Sequence, residues 1–82
     1  MKSVSKEDKI FLKNLGQRIA EIRKERGMTQ VDLGFKCDME KPNMNRIEKG
    51  NTNPNILILR KIFKELDIDL EDILHKPVKL TT

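Results

Sequence analysis

Residues 39–54 read MEKPNMNRIEKGNTNP. Met44 and Ile47 are the only apolar side chains on a face of three-residue spacing, and Asn43, Asn45, Arg46 and Lys49 stand around them. The segment is too polar to hold a core by itself and too regular to be a loop. At about 100° per residue, Met44 and Ile47 define an inward face, with Pro42, Asn45, Arg46 and Lys49 on the other side. This is the pattern of a short helix that packs with one side and offers the other to a polar partner. Pro42 disfavours helical geometry at the residue before it, so Lys41 is read as the N-cap and Pro42 as the first helical residue. Gly50 closes the helix, and Asn51–Pro54 is a loop by composition.

Toward the N-terminus, Thr29 caps a helix from Gln30 to about Cys37, with Leu33 and Cys37 inward at i, i+4. Gly34 sits inside that helix, where glycine costs about 1 kcal/mol relative to alanine. It is read as a point of close approach by another backbone, the alternative being a plain surface glycine. Asp38–Met39–Glu40 makes a tight turn into the next helix. Further back, Ser5 and Asp8 resemble a capping box, and Phe11, Leu15, Ile19 and Ile22 form one helical stripe. Gly27 follows Lys24, Glu25 and Arg26 and ends that helix, which spans about residues 6–26. Toward the C-terminus, Asn55 caps a helix carrying Ile56, Leu59, Ile62, Phe63 and Leu66 at helical spacing. Asp69 caps a last short helix from Leu70 to about Leu74, and Pro77 ends order soon after. The fold class predicted is all-α, with five helices in one domain over residues 6–75. Residues 1–5 are read as a disordered tail and 76–82 as a flexible one.

Composition narrows the function. The chain of 82 residues carries a formal charge of +4. Residues 1–66 hold 15 basic and 9 acidic side chains, whereas 67–82 hold Lys76 and Lys79 against Asp67, Asp69, Glu71 and Asp72. A basic body points to a polyanionic partner, or more blandly to a solvated charged surface. A lone cysteine excludes an internal disulfide and fits a reducing compartment. No signal peptide and no run approaching ~18 apolar residues is present, which predicts a soluble, cytoplasmic protein without a membrane partner. His75 and Cys37 are the only histidine and cysteine. Neither has a catalytic or metal-binding neighbour in sequence, and Cys37 reads as a small core hydrophobe. No phosphate-binding glycine loop or metal-ligand spacing occurs. The expectation is therefore no enzyme, no cofactor, no metal and no small-molecule ligand.

Two short helices joined by a tight turn outline a helix-turn-helix. The run TQVDLGFKCDMEKPNMNRIEKGNTNP (29–54) resembles the lambda repressor and Cro-like helix-turn-helix family, also called the XRE family. Its elements stand in order: Gly27-Met28-Thr29-Gln30, Leu33, the small Gly34, Ile47-Glu48, Gly50 and Asn53-Pro54, with Arg23 upstream. The likeness covers about residues 13–74. It implies a compact lambda repressor-like fold whose helices 2 and 3 form the motif, packed so closely that only glycine or alanine fits at Gly34. It implies a partly buried ion pair of Arg23 with Glu48. It also implies base contacts from Lys41, Pro42, Asn43, Asn45 and Arg46. Phosphate contacts would come from Thr29, Gln30, Lys49, Asn51 and Asn53, with Arg18 a weaker candidate.

Three departures from the family pattern involve four positions. Asp38 stands where glycine is frequent, and Glu40 where serine or threonine usually caps helix 3. Val31 and Phe35 are apolar where polar residues are usual, and are expected to tuck under the neighbouring loop rather than form an exposed patch. The resemblance implies a regulator of transcription that binds double-stranded DNA, of Cro-like or controller type. It would be a homodimer joined through C-terminal apolar residues, here Ile68, Leu70, Ile73 and Leu74, which equally serve to complete the monomer core. The rival reading is an antitoxin-like interaction module with the same fold, for which Val31 and Phe35 would supply the contact.

Overall fold

The computed structural model describes residues 4–69, and over that span the chain is all-helical: α1 Lys6–Glu25, α2 Gln30–Lys36, α3 Lys41–Glu48 and α4 Ile56–Glu65. The fifth helix expected over Leu70–Leu74 lies outside the described residues. Three of the four helices start where a side-chain oxygen takes the place of a missing backbone acceptor. Ser5 Oγ accepts from the Asp8 N–H at 3.0 Å, and Asn55 Oδ1 accepts from the Ile58 N–H at 2.9 Å. At α2 the capping is reciprocal, with Thr29 Oγ1 accepting from the Asp32 N–H at 3.0 Å and Asp32 Oδ2 from the Thr29 N–H at 2.9 Å. That second bond, then the Thr29 side chain and more weakly Lys36, hold the Asp32 carboxyl below its ordinary value.

The start of α3 corrects the sequence reading by one residue. Glu40, not Lys41, is the N-cap, with φ −80° and ψ 155°, and its side chain makes no capping bond. The Glu40 carbonyl already accepts from the Asn43 and Met44 N–H groups at 3.0 and 3.2 Å. Proline costs little in a first turn because its missing N–H has no acceptor there, so Lys41 is drawn into the helix ahead of Pro42. The turn before it needs a left-handed residue, and Asp38 adopts φ 56°, a conformation aspartate tolerates better than most residues.

The core gathers Ile19, Ile22, Leu33, Cys37, Met44, Ile47, Ile62, Phe63 and Leu66, with Leu12 also buried. Two expected core positions belong elsewhere. Phe11 is 56% exposed, and the neighbouring Leu12 is buried in its place. Taking Ile19 as the centre of the inward face, Leu12 falls about 20° away and Phe11 about 80°, so the stripe is better written Leu12, Leu15, Ile19, Ile22. In α4, Ile56 is 60% exposed: it is the first residue of the helix, more than a turn ahead of the buried Ile62 and Phe63. Burial pushes the Cys37 thiol up from its ordinary value, with Glu65 acting in the same direction.

Gly34 is a point of close approach, as its mid-helix position suggested. A Cβ there would stand 2.5 Å from the Met39 carbonyl oxygen, and the Met39 N–H donates to the Gly34 carbonyl at 2.7 Å. The close neighbour is thus the turn rather than helix α3 itself. Gly16, unmarked in the sequence reading, is where α1 meets α3. A Cβ on it would collide with the Ile47 and Glu48 carbonyl oxygens.

Candidate nucleic-acid interface

The site is built on a buried ion pair. Arg23 Nε donates to Glu48 Oε2 at 2.7 Å and Arg23 Nη2 to Glu48 Oε1 at 3.1 Å, a fork-to-fork arrangement with both residues buried. Such bidentate pairs are among the stronger and more directional charged contacts. Arg23 Nη1 also donates to the Met28 carbonyl at 2.7 Å, which fixes the connection just ahead of α2. Gln30, the first residue of α2, donates from Nε2 to Glu48 Oε1 at 2.9 Å. One carboxylate on α3 therefore holds side chains from α1 and α2 together.

This frame sets how α3 is presented. Met44 and Ile47 are buried, while Lys41, Pro42, Asn43, Arg46 and Lys49 are exposed and Asn45 is half-buried. The guanidinium of Arg46 donates to Asn43 Oδ1 one turn earlier along the same face. Asn45 turns toward α2, its Nδ2 donating to Gln30 Oε1 at a long 3.4 Å.

The residues expected to meet phosphates occupy the edges of this surface. Thr29 is exposed at the cap of α2, and Gln30 is half-buried beside it. Lys49 caps the end of α3, with Asn51 and Asn53 exposed in the loop that follows. The Asn51 N–H donates to the Arg46 carbonyl at 2.9 Å, tying that loop to the helix. Arg18 stands apart on α1, where Glu21 lies 3.7 Å from its guanidinium. Sequence reasoning paired Arg23 with Glu48 but missed that Gln30 joins them. No spacing rule links positions 30 and 48, so only tertiary packing brings them together.

Val31 and Phe35 do not tuck under a loop. They are 57% and 83% exposed. Each lies two residues from the buried Leu33, about 200° around the helix, and the turn at Asp38–Glu40 passes beneath Gly34 rather than over Phe35. Of the residues expected at a dimer interface, Ile68 is half-buried against the core, and Leu70, Ile73 and Leu74 lie outside the described residues.

A family model described as helix-turn-helix matches residues 19–73. The chain belongs to the XRE-type helix-turn-helix family. Among its relatives, the HTH-type transcriptional regulator SinR of Bacillus licheniformis is 35% identical over 63 residues, which is 76% of this chain and 57% of that protein. This helix-turn-helix chain thus spans little more than half the length of SinR. The control protein C.BamHI of Bacillus amyloliquefaciens is 33% identical over 60 residues, covering 72% of this chain and 74% of its own. Among solved structures, the restriction-modification controller protein C.AhdI of Aeromonas hydrophila superposes with a TM-score of 0.71 at 28% identity, over 74% of this chain and 88% of that one. In this helix-turn-helix domain, no described helix is long and apolar enough to cross a membrane.

Proposed function

We propose that the chain is a sequence-specific, double-stranded DNA-binding regulator of transcription, acting in the cytoplasm as a homodimer on a pseudo-palindromic operator in the manner of a controller protein. The observation that carries this reading is the two-sidedness of α3. Its inner face is locked into the core and to α1 through Glu48, while its outer face offers Lys41, Asn43 and Arg46 to a partner. An α-helix fits the major groove of B-DNA, where arginine pairs with guanine and asparagine with adenine. In this reading Lys41, Pro42, Asn43, Asn45 and Arg46 meet base edges. Thr29, Gln30, Lys49, Asn51 and Asn53 hold the backbone on either side, and Arg18, with Glu21 beside it, is the weakest phosphate ligand. Ile68, Leu70, Ile73 and Leu74 would join two protomers, setting their recognition helices about 34 Å apart.

The deciding experiment is selection of bound sites from a random duplex pool, followed by sedimentation of the free protein. A two-fold related consensus, with the protein dimeric at micromolar concentration, is expected. Recovery of sequences without a common pattern would overturn the reading. Ile73→Asp should lower affinity for the full site while leaving the monomer helical. A monomeric parent that binds a lone half-site as tightly as the full site would remove the homodimer.

The exposure of Val31 and Phe35 favours a second reading, an antitoxin-like module whose main contact is another protein. Salt separates the two. Binding to random duplex that falls steeply with salt supports the phosphate ligands, whereas indifference to duplex at low salt supports a protein partner.

A further inference from the structure

We propose that Gln30 is a positioning residue that carries the polarity of the buried Glu48 carboxylate to the Asn45 carboxamide, holding Asn45 in the orientation that recognises adenine. The proposal rests on the DNA-binding reading above and names one base class within it. Glu48 meets Arg23 N–H donors with both of its oxygens, so it can take a third partner only by accepting. Gln30 must therefore turn its Nε2 toward Glu48, as it does at 2.9 Å. That choice sends Oε1 the other way, where it accepts from Asn45 Nδ2 at 3.4 Å.

An asparagine carboxamide has two N–H donors and one acceptor oxygen, and its terminal torsion is broad and roughly two-fold. With one N–H spent on Gln30, Asn45 keeps one N–H and Oδ1. Adenine presents N7 as acceptor and the N6 amino group as donor in the major groove, which matches that remaining pair. In the opposite orientation Oδ1 would face Gln30 Oε1, acceptor against acceptor. A charge buried between α1 and α3 thus selects one of two orientations for an amide two hydrogen bonds away. No phosphate contact by Gln30 is needed for this, and none is excluded, since its Nε2 carries a second N–H.

The test uses the full chain and its selected operator. Asn45→Ala first identifies the half-site position where base preference collapses. At that position the parent should favour adenine by about tenfold. Gln30→Met keeps the length of the side chain without its amide, and should bring that ratio to within about twofold while the other positions keep their order. The double variant Gln30→Glu with Glu48→Gln restores an acceptor facing Asn45, since the new amide at position 48 can accept from Arg23 Nε and donate to the new carboxylate at position 30, giving up the bond that Arg23 Nη2 makes in the parent. It should regain the adenine preference even if its affinity is lower for every duplex.

Equal weakening of all duplexes by Gln30→Met, with the adenine ratio intact, would overturn the proposal and leave Gln30 a phosphate ligand. So would an Asn45→Ala variant that keeps every preference, or a preferred base other than adenine. Should Gln30→Met fail to fold, Gln30→Ala, which also removes the acceptor facing Asn45, is read in its place, and an intact adenine ratio in it would overturn the proposal. A parent with no base preference anywhere would overturn the DNA-binding reading itself, a result distinct from all of these.

Discussion

Arg23 and Glu48, 25 positions apart, meet fork to fork at 2.7 and 3.1 Å inside the domain, and neither residue is more than 8% exposed. Removing one partner of such a pair leaves a buried charge without compensation, which typically costs about 3–5 kcal/mol. Arg23→Met should therefore lower stability by roughly that amount. Arg23→Met combined with Glu48→Leu should recover part of the loss, because two apolar groups leave no orphaned charge, while the Met28 carbonyl and the Gln30 amide each lose a partner. Urea denaturation of the three proteins checks this, and equal midpoints for the single variant and the parent would contradict it.

The two packed glycines should respond to added volume. Gly16→Ala places a Cβ against the backbone of Ile47 and Glu48, and Gly34→Val places one against the Met39 carbonyl. Backbone atoms cannot rotate aside as a side chain can. Overpacking costs typically ~1–3 kcal/mol, and both variants should melt below the parent by at least that equivalent. Melting curves that superpose on the parent's would place these glycines at loose contacts.

Helix α2 should be asymmetric under mutation. Leu33 is fully buried and Phe35 points away from the core. Leu33→Ala is expected to cost about 2–5 kcal/mol, and Phe35→Ser to change stability by no more than about 0.5 kcal/mol. Chemical denaturation reads both. A large loss from Phe35→Ser would mean that this ring is covered by something in solution.

Acid should weaken the start of α2. Asp32 is held below its ordinary value first by the Thr29 backbone N–H and then by the Thr29 side chain. A carboxyl whose pKa is depressed by folding stabilises the fold above its unfolded-state value, and that stabilisation is lost as pH falls through the folded-state value. The gap in stability between the parent and Asp32→Asn should thus be largest near neutral pH and close on acidification. Denaturation midpoints measured across a pH series test this, and a gap independent of pH would mean that the charge on Asp32 contributes nothing.

Base readers and phosphate ligands should separate in binding. Arg46→Ala is expected to relax preference at one position of each half-site, at a cost of ~1–3 kcal/mol. Lys49→Ala should weaken all duplexes alike and flatten the salt slope by about one contact. Competition among single-base operator variants at two salt concentrations separates these outcomes. An Arg46→Ala variant that ranks the operators as the parent does would remove Arg46 from the base readers.

Much of this was legible from residue order, because it depends on interactions within one or two helical turns. Ser5, Thr29 and Asn55 announced three helix starts, since a capping side chain reaches only three residues ahead. The spacing of Leu33 with Cys37 and of Met44 with Ile47 identified inward faces by helical geometry alone, and the family pattern supplied the Arg23–Glu48 pair. Tertiary structure decided what local spacing leaves degenerate. Leu12 rather than Phe11 is buried because neighbouring α1 positions differ by one helical step and only the place of α3 selects between them. The start of α3 at Lys41 is by contrast local, set by the Glu40 carbonyl accepting from the Asn43 and Met44 N–H groups. Phe35 stays outside because Leu33 and Gly34 claim the face that meets the turn. Gly16 and Gln30 acquire their roles from the chain folding back on itself, where a carbonyl of α3 comes against α1 and the Glu48 carboxylate comes within reach of α2.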